Sequence, residues 1–437
     1  MLTAQPNSAA KLTQRHAHIA LALLFGVSLF NFLDRFMVSI LIPAIKVDLT
    51  LTDTQIGFLQ GPGFAVLYAI CGIPIARMAD SYSRSMIVSV ALATWSAMTA
   101  ACGFAQNFFQ LAIARILVGI GEAGATPPSQ SLIADYYAPG SRATALVILN
   151  ITTPLGVMFG FLIGGWVTQN FGWRPALFAV AAPGLVYALI VWLVLKEPPR
   201  GSADGVADVG AAPPFWSGWA QLFKRKTFFH MCWGGGAFSF MFLSVIQWAP
   251  SFYSRSHALT ISEIGTWLAF VVGIPMSLGL LTGGVIADRL GQQDARRPLW
   301  VASSAILISA PLYLLVFTVD DYRIAFLAMC FPLFLGVLQG GSLYSGIIGV
   351  AGIRMRSVAA ATLVLFFNLV GGLGPQIVGI LSDLLTPSLG DEALRYSLLW
   401  IAVGAAFWTS FHFAMASRTV REDLAAATAD VTRTKNL

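Results

Sequence analysis

The stretch Ala114-Arg115-Ile116-Leu117-Val118-Gly119-Ile120-Gly121-Glu122-Ala123-Gly124 puts an arginine and a glutamate into a run that is otherwise apolar or small. Arg115 and Glu122 are seven residues apart, so on a helix they share one face, two turns and roughly 10 Å of rise apart. Gly119 lies between them on nearly the same face and leaves room for a neighbouring helix. A second charged pair, Asp34-Arg35, interrupts the first apolar segment. Charges at membrane depth are costly and mark ion or substrate pathways. What these four residues mean therefore depends on whether the segments around them cross a membrane.

Composition says that they do. The 437 residues are 57% hydrophobic and 11% charged, with mean hydropathy +0.75, where a soluble protein carries about 25% charge. Twelve apolar segments of spanning length follow one another, at about 19–44, 54–76, 85–105, 109–134, 142–168, 174–195, 228–253, 263–287, 298–318, 323–350, 357–384 and 394–416. Lipid leaves helices or closed barrels as options. Continuous runs of this length, rather than alternating ten-residue segments, exclude a barrel. The expected fold class is an all-α membrane protein of twelve transmembrane helices. The first apolar segment is too long for a signal-peptide core and no small-residue cleavage site follows it, so it reads as a retained span.

Charge sets the orientation. With the N-terminus inside, 19 of the 26 Lys and Arg residues fall in cytoplasmic segments and five outside; the other two, Arg35 and Arg115, lie within spans. This asymmetry predicts that both termini are cytoplasmic. It also accounts for the net charge of +6 without nucleic-acid binding. Cys71, Cys102, Cys232 and Cys330 all fall in apolar segments and form no CxxC pair, so neither a metal site nor a disulfide framework is expected.

Residues 197–227 form the one long connection. It opens as a Pro/Gly/Ala/Asp-rich linker and closes with Phe215-Trp216, Trp219, Leu222-Phe223 and the cluster Lys224-Arg225-Lys226, which predicts a short interfacial helix. The linker divides the spans six and six, giving halves at 1–196 and 228–417 and a cytoplasmic tail at 418–437. Ala143-Thr144, Asn150 and Leu155-Gly156 in span five recur at one offset as Ala361-Thr362, Asn368 and Leu373-Gly374 in span eleven. Two six-span repeats around a central site is a transporter plan. Gly371-Gly372-Leu373-Gly374-Pro375 in span eleven and Pro127-Pro128 in span four are candidate bends.

After span two the chain reads Ala76-Arg77-Met78-Ala79-Asp80-Ser81-Tyr82-Ser83-Arg84. After span eight it reads Gly284-Val285-Ile286-Ala287-Asp288-Arg289-Leu290-Gly291. Each places an acid at a helix end followed by arginines, a cluster that can latch helix ends on the cytoplasmic side. The second copy resembles the Gly-x-x-x-Asp-Arg-x-Gly loop motif of the major facilitator superfamily. The first is a degraded copy in which Asp80 and Arg84 survive while Ala76, Ser81 and Ser83 replace the glycine, the arginine and the second glycine. Span four, Arg115-x-x-x-Gly119-x-Gly121-Glu122-Ala123, resembles the superfamily's span-four arginine motif. Asn31-Phe32-Leu33-Asp34-Arg35 together with Arg115 and Glu122 looks like the spinster-like branch. The resemblance implies a monomeric, multi-pass transporter of a bacterial inner (plasma) membrane, working by alternating access with Asp80, Arg84, Asp288 and Arg289 as its cytoplasmic gate. It also implies an amphiphilic substrate, a sphingolipid, a lysophospholipid or a relative of these.

The four buried charges sum to zero. One reading is a structural network. The other is a transport site in which Asp34 and Glu122 carry protons and Arg35 and Arg115 anchor an anionic headgroup or serve as charge partners. A carboxylate that gains or loses a guanidinium partner changes its proton affinity, whereas arginine stays charged and suits bidentate recognition of phosphate or carboxylate. Asp34 and Arg35 are neighbours and leave the helix about 100° apart; the expected arrangement turns Asp34 toward span four and Arg35 into the cavity. The C-terminal half has almost no charge at depth. Its candidate cavity residues are Gln247, Tyr344, Asn368 and Gln376, and His230, His412 and Asp383 sit near span ends. One charged half facing one mostly apolar half suits a headgroup and a tail. A small organic anion symported with protons is the alternative substrate.

A membrane-embedded enzyme would need a metal or nucleophile cluster, and no HExxH, no Gly-x-Ser-x-Gly and no grouped histidines occur. Nor is there a Walker-type phosphate loop, so the expected energy source is a proton gradient with no cofactor, and no catalytic residue is assigned.

Overall fold

The structure, a computed structural model, describes residues 14–200, 215–352 and 355–435. The apolar runs fold as helices, because a helix satisfies its own backbone where lipid cannot. α1 (Gln14–Leu49) precedes a run broken at Gly61 into α2 (Asp53–Gln60) and α3 (Pro62–Ser81), and α4 (Arg84–Gly103) follows. The charged stretch forms α5 (Phe108–Glu122), continued after a turn at 123–125 by α6 (Thr126–Tyr136). α7 (Pro139–Asn150), α8 (Thr152–Phe171) and α9 (Trp173–Val194) complete the first half, and α10 (Phe215–Phe223) lies between the halves. The second half comprises α11 (Lys226–His257), α12 (Ile261–Gln293), α13 (Arg297–Thr318), a run split at Leu338 into α14 (Tyr322–Val337) and α15 (Gln339–Ala351), then α16 (Arg356–Leu389) and α17 (Ala393–Lys435).

Among the described residues, eleven stretches are long and apolar enough to cross a membrane. The last, Val358–Ala427, takes in both α16 and α17, which a turn at Gly390–Glu392 separates. Gly390 makes that turn with φ of 57°, a left-handed conformation that glycine adopts without a Cβ penalty.

The breaks fall at particular chemistry. Pro62 opens α3 and Pro127-Pro128 open α6; proline restricts the residue before it and donates no N–H, so a helix ends there and a new one begins. The candidate bend at Gly371–Pro375 is different: α16 runs through it unbroken. Its glycines serve close packing. A Cβ at Gly371 would stand 2.2 Å from Ser239 Oγ, and one at Gly374 would stand 2.4 Å from the Phe240 carbonyl oxygen of α11.

Packing repeats between the halves. α1 runs along α8 and α4 along α9, just as α11 runs along α16 and α13 along α17. Between the halves, α8 meets α12 as α16 meets α2 and α3. These seams are tight at the end of the molecule that carries Asp53. A Cβ on Gly265 would stand 2.4 Å from Phe161 O, and one on Gly57 would stand 2.6 Å from Pro375 O.

Candidate functional site

α5 is drawn into the first half by its glycines. A Cβ on Gly119 would lie 2.8 Å from the Phe64 carbonyl oxygen of α3, and one on Gly121 would lie 2.8 Å from the Trp95 backbone nitrogen of α4. Glu122 sits at the end of α5, within side-chain reach of α1. Glu122 is fully buried, Asp34 is 1% exposed and Arg115 3%. Arg35 reaches across from α1: its Nε and Nη2 both donate to Glu122 Oε2, at 3.1 and 2.7 Å. Asp34 turns the other way and accepts from Thr99 Oγ1 of α4 at 2.5 Å. The expected directions are thus corrected. It is the arginine that pairs with span four, at Glu122, and the aspartate that faces span three, at Thr99.

Aromatic rings floor this site. The Arg35 guanidinium carbon lies 4.5 Å from the centroid of Phe64 and 5.1 Å from that of Tyr68, and the Arg115 guanidinium lies 5.5 Å from Phe64. Rings at this range attract desolvated guanidinium groups. Phe64 and Tyr68 are one helical turn apart on α3, yet nothing in the sequence distinguishes them from ordinary core aromatics.

The hydrogen bonding is half complete. Buried atoms without a protein partner include Asn31 Nδ2, Asp34 Oδ1, Arg115 Nε and Nη1, and Glu122 Oε1. Most buried polar groups are paired, and each exception calls for an explanation such as water or a ligand. The site can therefore accept a further donor or acceptor without giving up its present bonds.

The candidate residues of the second half divide. Gln376 donates to Thr54 O at 3.2 Å, and the backbone carbonyl of Gln247 accepts from Gln60 Nε2 at 3.0 Å, so the Gln376 side chain and the Gln247 backbone are used in the contact between halves. Asn368 donates to Val364 O within its own helix, and Tyr344 is exposed on α15. Near these contacts lies a cluster that sequence reading missed. Asp53, 1% exposed, accepts from Lys46 Nζ at 2.5 Å, from Arg255 Nη1 and Nη2 at 2.6 Å each, and from Ser382 Oγ at 2.6 Å. Asp383, near the end of span eleven, accepts from the backbone N–H groups of Asp53 and Thr54, at 3.0 and 2.7 Å, and caps α2 from the opposite half.

The sequence profile of the Major Facilitator Superfamily matches residues 24–375. The chain belongs to that superfamily. It is 34% identical over 412 residues to an MFS-type efflux pump of Mycolicibacterium smegmatis, covering 94% of this chain and 95% of the pump. It is 28% identical to human protein spinster homolog 1, covering 92% of this chain and 81% of that one. A crystal structure of a bacterial homolog to the human lysosomal transporter Spinster, inward-facing and unoccupied, superposes with a TM-score of 0.84 at 27% identity, over 94% of this chain and 99% of the other. The fold and the homology make this a spinster-type transporter.

The loop motifs of this spinster-type transporter behave unequally. The Asp80 side chain lies outside the described residues. Arg84 is 2% exposed and pairs with Asp135, with Ser131 Oγ at 2.9 Å and with Glu197 Oε1 at 2.7 Å, tying the ends of α4 and α6 to the linker. Glu197 also accepts from the Ser85 N–H at 2.9 Å. Partial burial pushes its carboxyl up, but that N–H and the Arg84 guanidinium outweigh it and hold the group below the usual glutamate range. In the second loop Asp288 and Arg289 are exposed. The ionic cluster there is built on Asp294, which accepts from the Arg296 backbone at 3.0 Å and from the Arg296 and Arg421 guanidinium groups at 3.2 and 2.7 Å. The first of these, the backbone N–H, contributes most to holding the Asp294 carboxyl well below the usual aspartate range.

Proposed function

We propose that this transporter moves an amphiphilic lipid, sphingolipid- or lysophospholipid-like, across the membrane by proton-coupled alternating access. The observation that carries the proposal is the Arg35–Glu122 pair beside Arg115, whose Nε and Nη1 have no protein partner. While Glu122 is ionised, it holds Arg35. Protonation of Glu122 removes the charge that Arg35 pairs with and leaves two neighbouring guanidinium groups for an anionic headgroup. Asp34, held by a single hydroxyl, is the second proton carrier. The apolar second half receives the tail.

The loop charges put the Asp80 and Asp288 ends in the cytoplasm, with twelve spans and both termini inside. The Asp53 end then faces outward. Its tight seams are in keeping with a state closed on that side, in a plasma-membrane protein that works as a monomer and whose halves, 1–196 and 228–417, rock about the central site. The efflux pump among the relatives is in keeping with outward movement of substrate.

A second reading, proton-coupled symport of a small organic anion, draws on likeness to a hexuronate transporter of Bacillus subtilis, 26% identical over 65% of this chain. Proteoliposomes separate the two. A lysophospholipid and a small carboxylate are offered at two pH values, with Arg35→Ala as control. The lipid reading expects pH-dependent lysophospholipid movement that Arg35→Ala abolishes; movement of the carboxylate alone would replace it with the second.

A further inference from the structure

Away from the central site, two histidines that are far apart in sequence meet. His230 lies one turn into α11 and His412 lies on α17. Their Nδ1 atoms are 3.0 Å apart and their ring planes are tilted by 47°. At 3.0 Å one Nδ1 must carry a hydrogen and the other a lone pair. The surroundings are aromatic. Phe229 lies 5.3 Å from His230, Phe411 5.4 Å from His412, and Trp233 stacks on His412 at 6.5 Å with 21° between planes. Gly234 on α11 opposes the His412 Cβ. Trp233 continues to Phe366 of α16 at 5.2 Å, and Phe229 continues to Phe223 of α10 at 6.1 Å. Every side chain named around the pair, from α11, α16 and α17, is uncharged. The nearest cations along the two helices are Lys226, one turn before His230, and Arg418, six residues after His412, and both are exposed.

We propose that His230 and His412 form a second proton site, a shared-proton clamp between α11 and α17 that loosens when both rings are charged. In the neutral pair, one ring donates its Nδ1–H to the lone pair on the other Nδ1. A first added proton goes to the free Nε2 of the donating ring. The resulting imidazolium still donates, now through a stronger charge-assisted bond, and the aromatic wall stabilises the cation. A second proton has only the accepting Nδ1 to occupy. It removes that lone pair, sets two N–H groups and two like charges face to face, and opens the clamp. His230 is partly exposed one turn from the helix start, so protons reach it from the face bearing Lys226. Through Phe229 and Phe223, opening also loosens the seat of α10. Acidification on this face thus acts on the linker and on α11 without involving Glu122.

Full-length protein labelled with 15N-histidine tests the clamp, since only His16, His18, His230, His257 and His412 contribute signals. A through-hydrogen-bond coupling between the two Nδ1 nuclei is expected in the wild type, and the pair should titrate in two separated steps. Trp233 fluorescence, isolated by difference with Trp233→Phe, should change at the second step. His230→Gln and His412→Gln should each leave a single step. Glu122→Gln should leave both steps in place, which separates this site from the central one. No coupling in the wild type, or both rings titrating together at the pH of the single variants, overturns the clamp; the wild-type measurements decide even where a variant does not fold.

Discussion

Two sets of buried acids in this molecule share burial and differ in completeness. Asp53 receives four hydrogen bonds from three side chains, with both oxygens used, and Asp383 caps the same helix end. Glu122 and Asp34 each keep one oxygen without a protein partner, beside an arginine with two unpartnered nitrogens. Asp53 joins the halves: Lys46 belongs to the first, Arg255 and Ser382 to the second. The central charges all come from the first half. A saturated acid with partners on both sides of a seam is a lock. An unsaturated acid whose neighbours all come from one half has capacity left for a proton or a ligand. Burial alone does not tell them apart; the count of partners and the helices that supply them do.

Neutralising each set should give different outcomes. The largest effect is expected at the centre. Glu122→Gln and Arg35→Ala should reduce substrate flux in proteoliposomes to background at every pH; a Glu122→Gln protein with the wild-type pH profile would erase the distinction between the two sets. Asp53→Asn comes next. It leaves Lys46 and Arg255 without their anion, and breaking a buried pair from one side costs about 3–5 kcal/mol. The expected result is a shift toward opening of the Asp53 end, read as a longer distance between spin labels on α2 and α11, with the central site still able to bind; an unchanged distance would show that the lock does not hold the seam.

A smaller effect is expected of Gly119→Ala. Its Cβ would lie 2.8 Å from the Phe64 carbonyl oxygen, and overpacking of this kind costs about 1–3 kcal/mol. A lower melting temperature with weakened flux would tie the centre to the spacing of α3 and α5. The smallest belongs to the loops. Asp294 and Glu197 are held below their ordinary range, so the stability they contribute is fully present above about pH 5 and is lost as pH falls through their lower folded values. The melting temperature of the wild type minus that of Asp294→Asn, followed downward from pH 7, should stay level and then shrink in acid; a difference that grows on acidification would contradict the sign.

The helical membrane fold was legible because spans of about 20 apolar residues have few alternatives in lipid. Arg115, Glu122, Asp34 and Arg35 stood out for the same reason: a charge inside such a run is conspicuous by itself. Phe64 and Tyr68 gave no signal, since an aromatic residue in an apolar helix looks like any other. Asp53, Arg255 and Asp383 stand at span ends, where charge is ordinary, and their pairing depends on how the two halves close over one another. His230 and His412, 182 residues apart, become neighbours only through the packing of α11 on α17.

The sequence by itself determined that the chain crosses the membrane as helices and that the first half holds the buried charge. These follow from local composition and from the unfavourable transfer of charge into lipid. Only the tertiary structure decided that Arg35, rather than Arg115, pairs with Glu122, and that Asp34 faces Thr99. The spacing along a helix sets the face on which a side chain emerges, but its partner depends on how closely neighbouring helices approach. At the centre of this transporter, Gly119 and Gly121 set that approach by offering no Cβ where α3 and α4 press against α5.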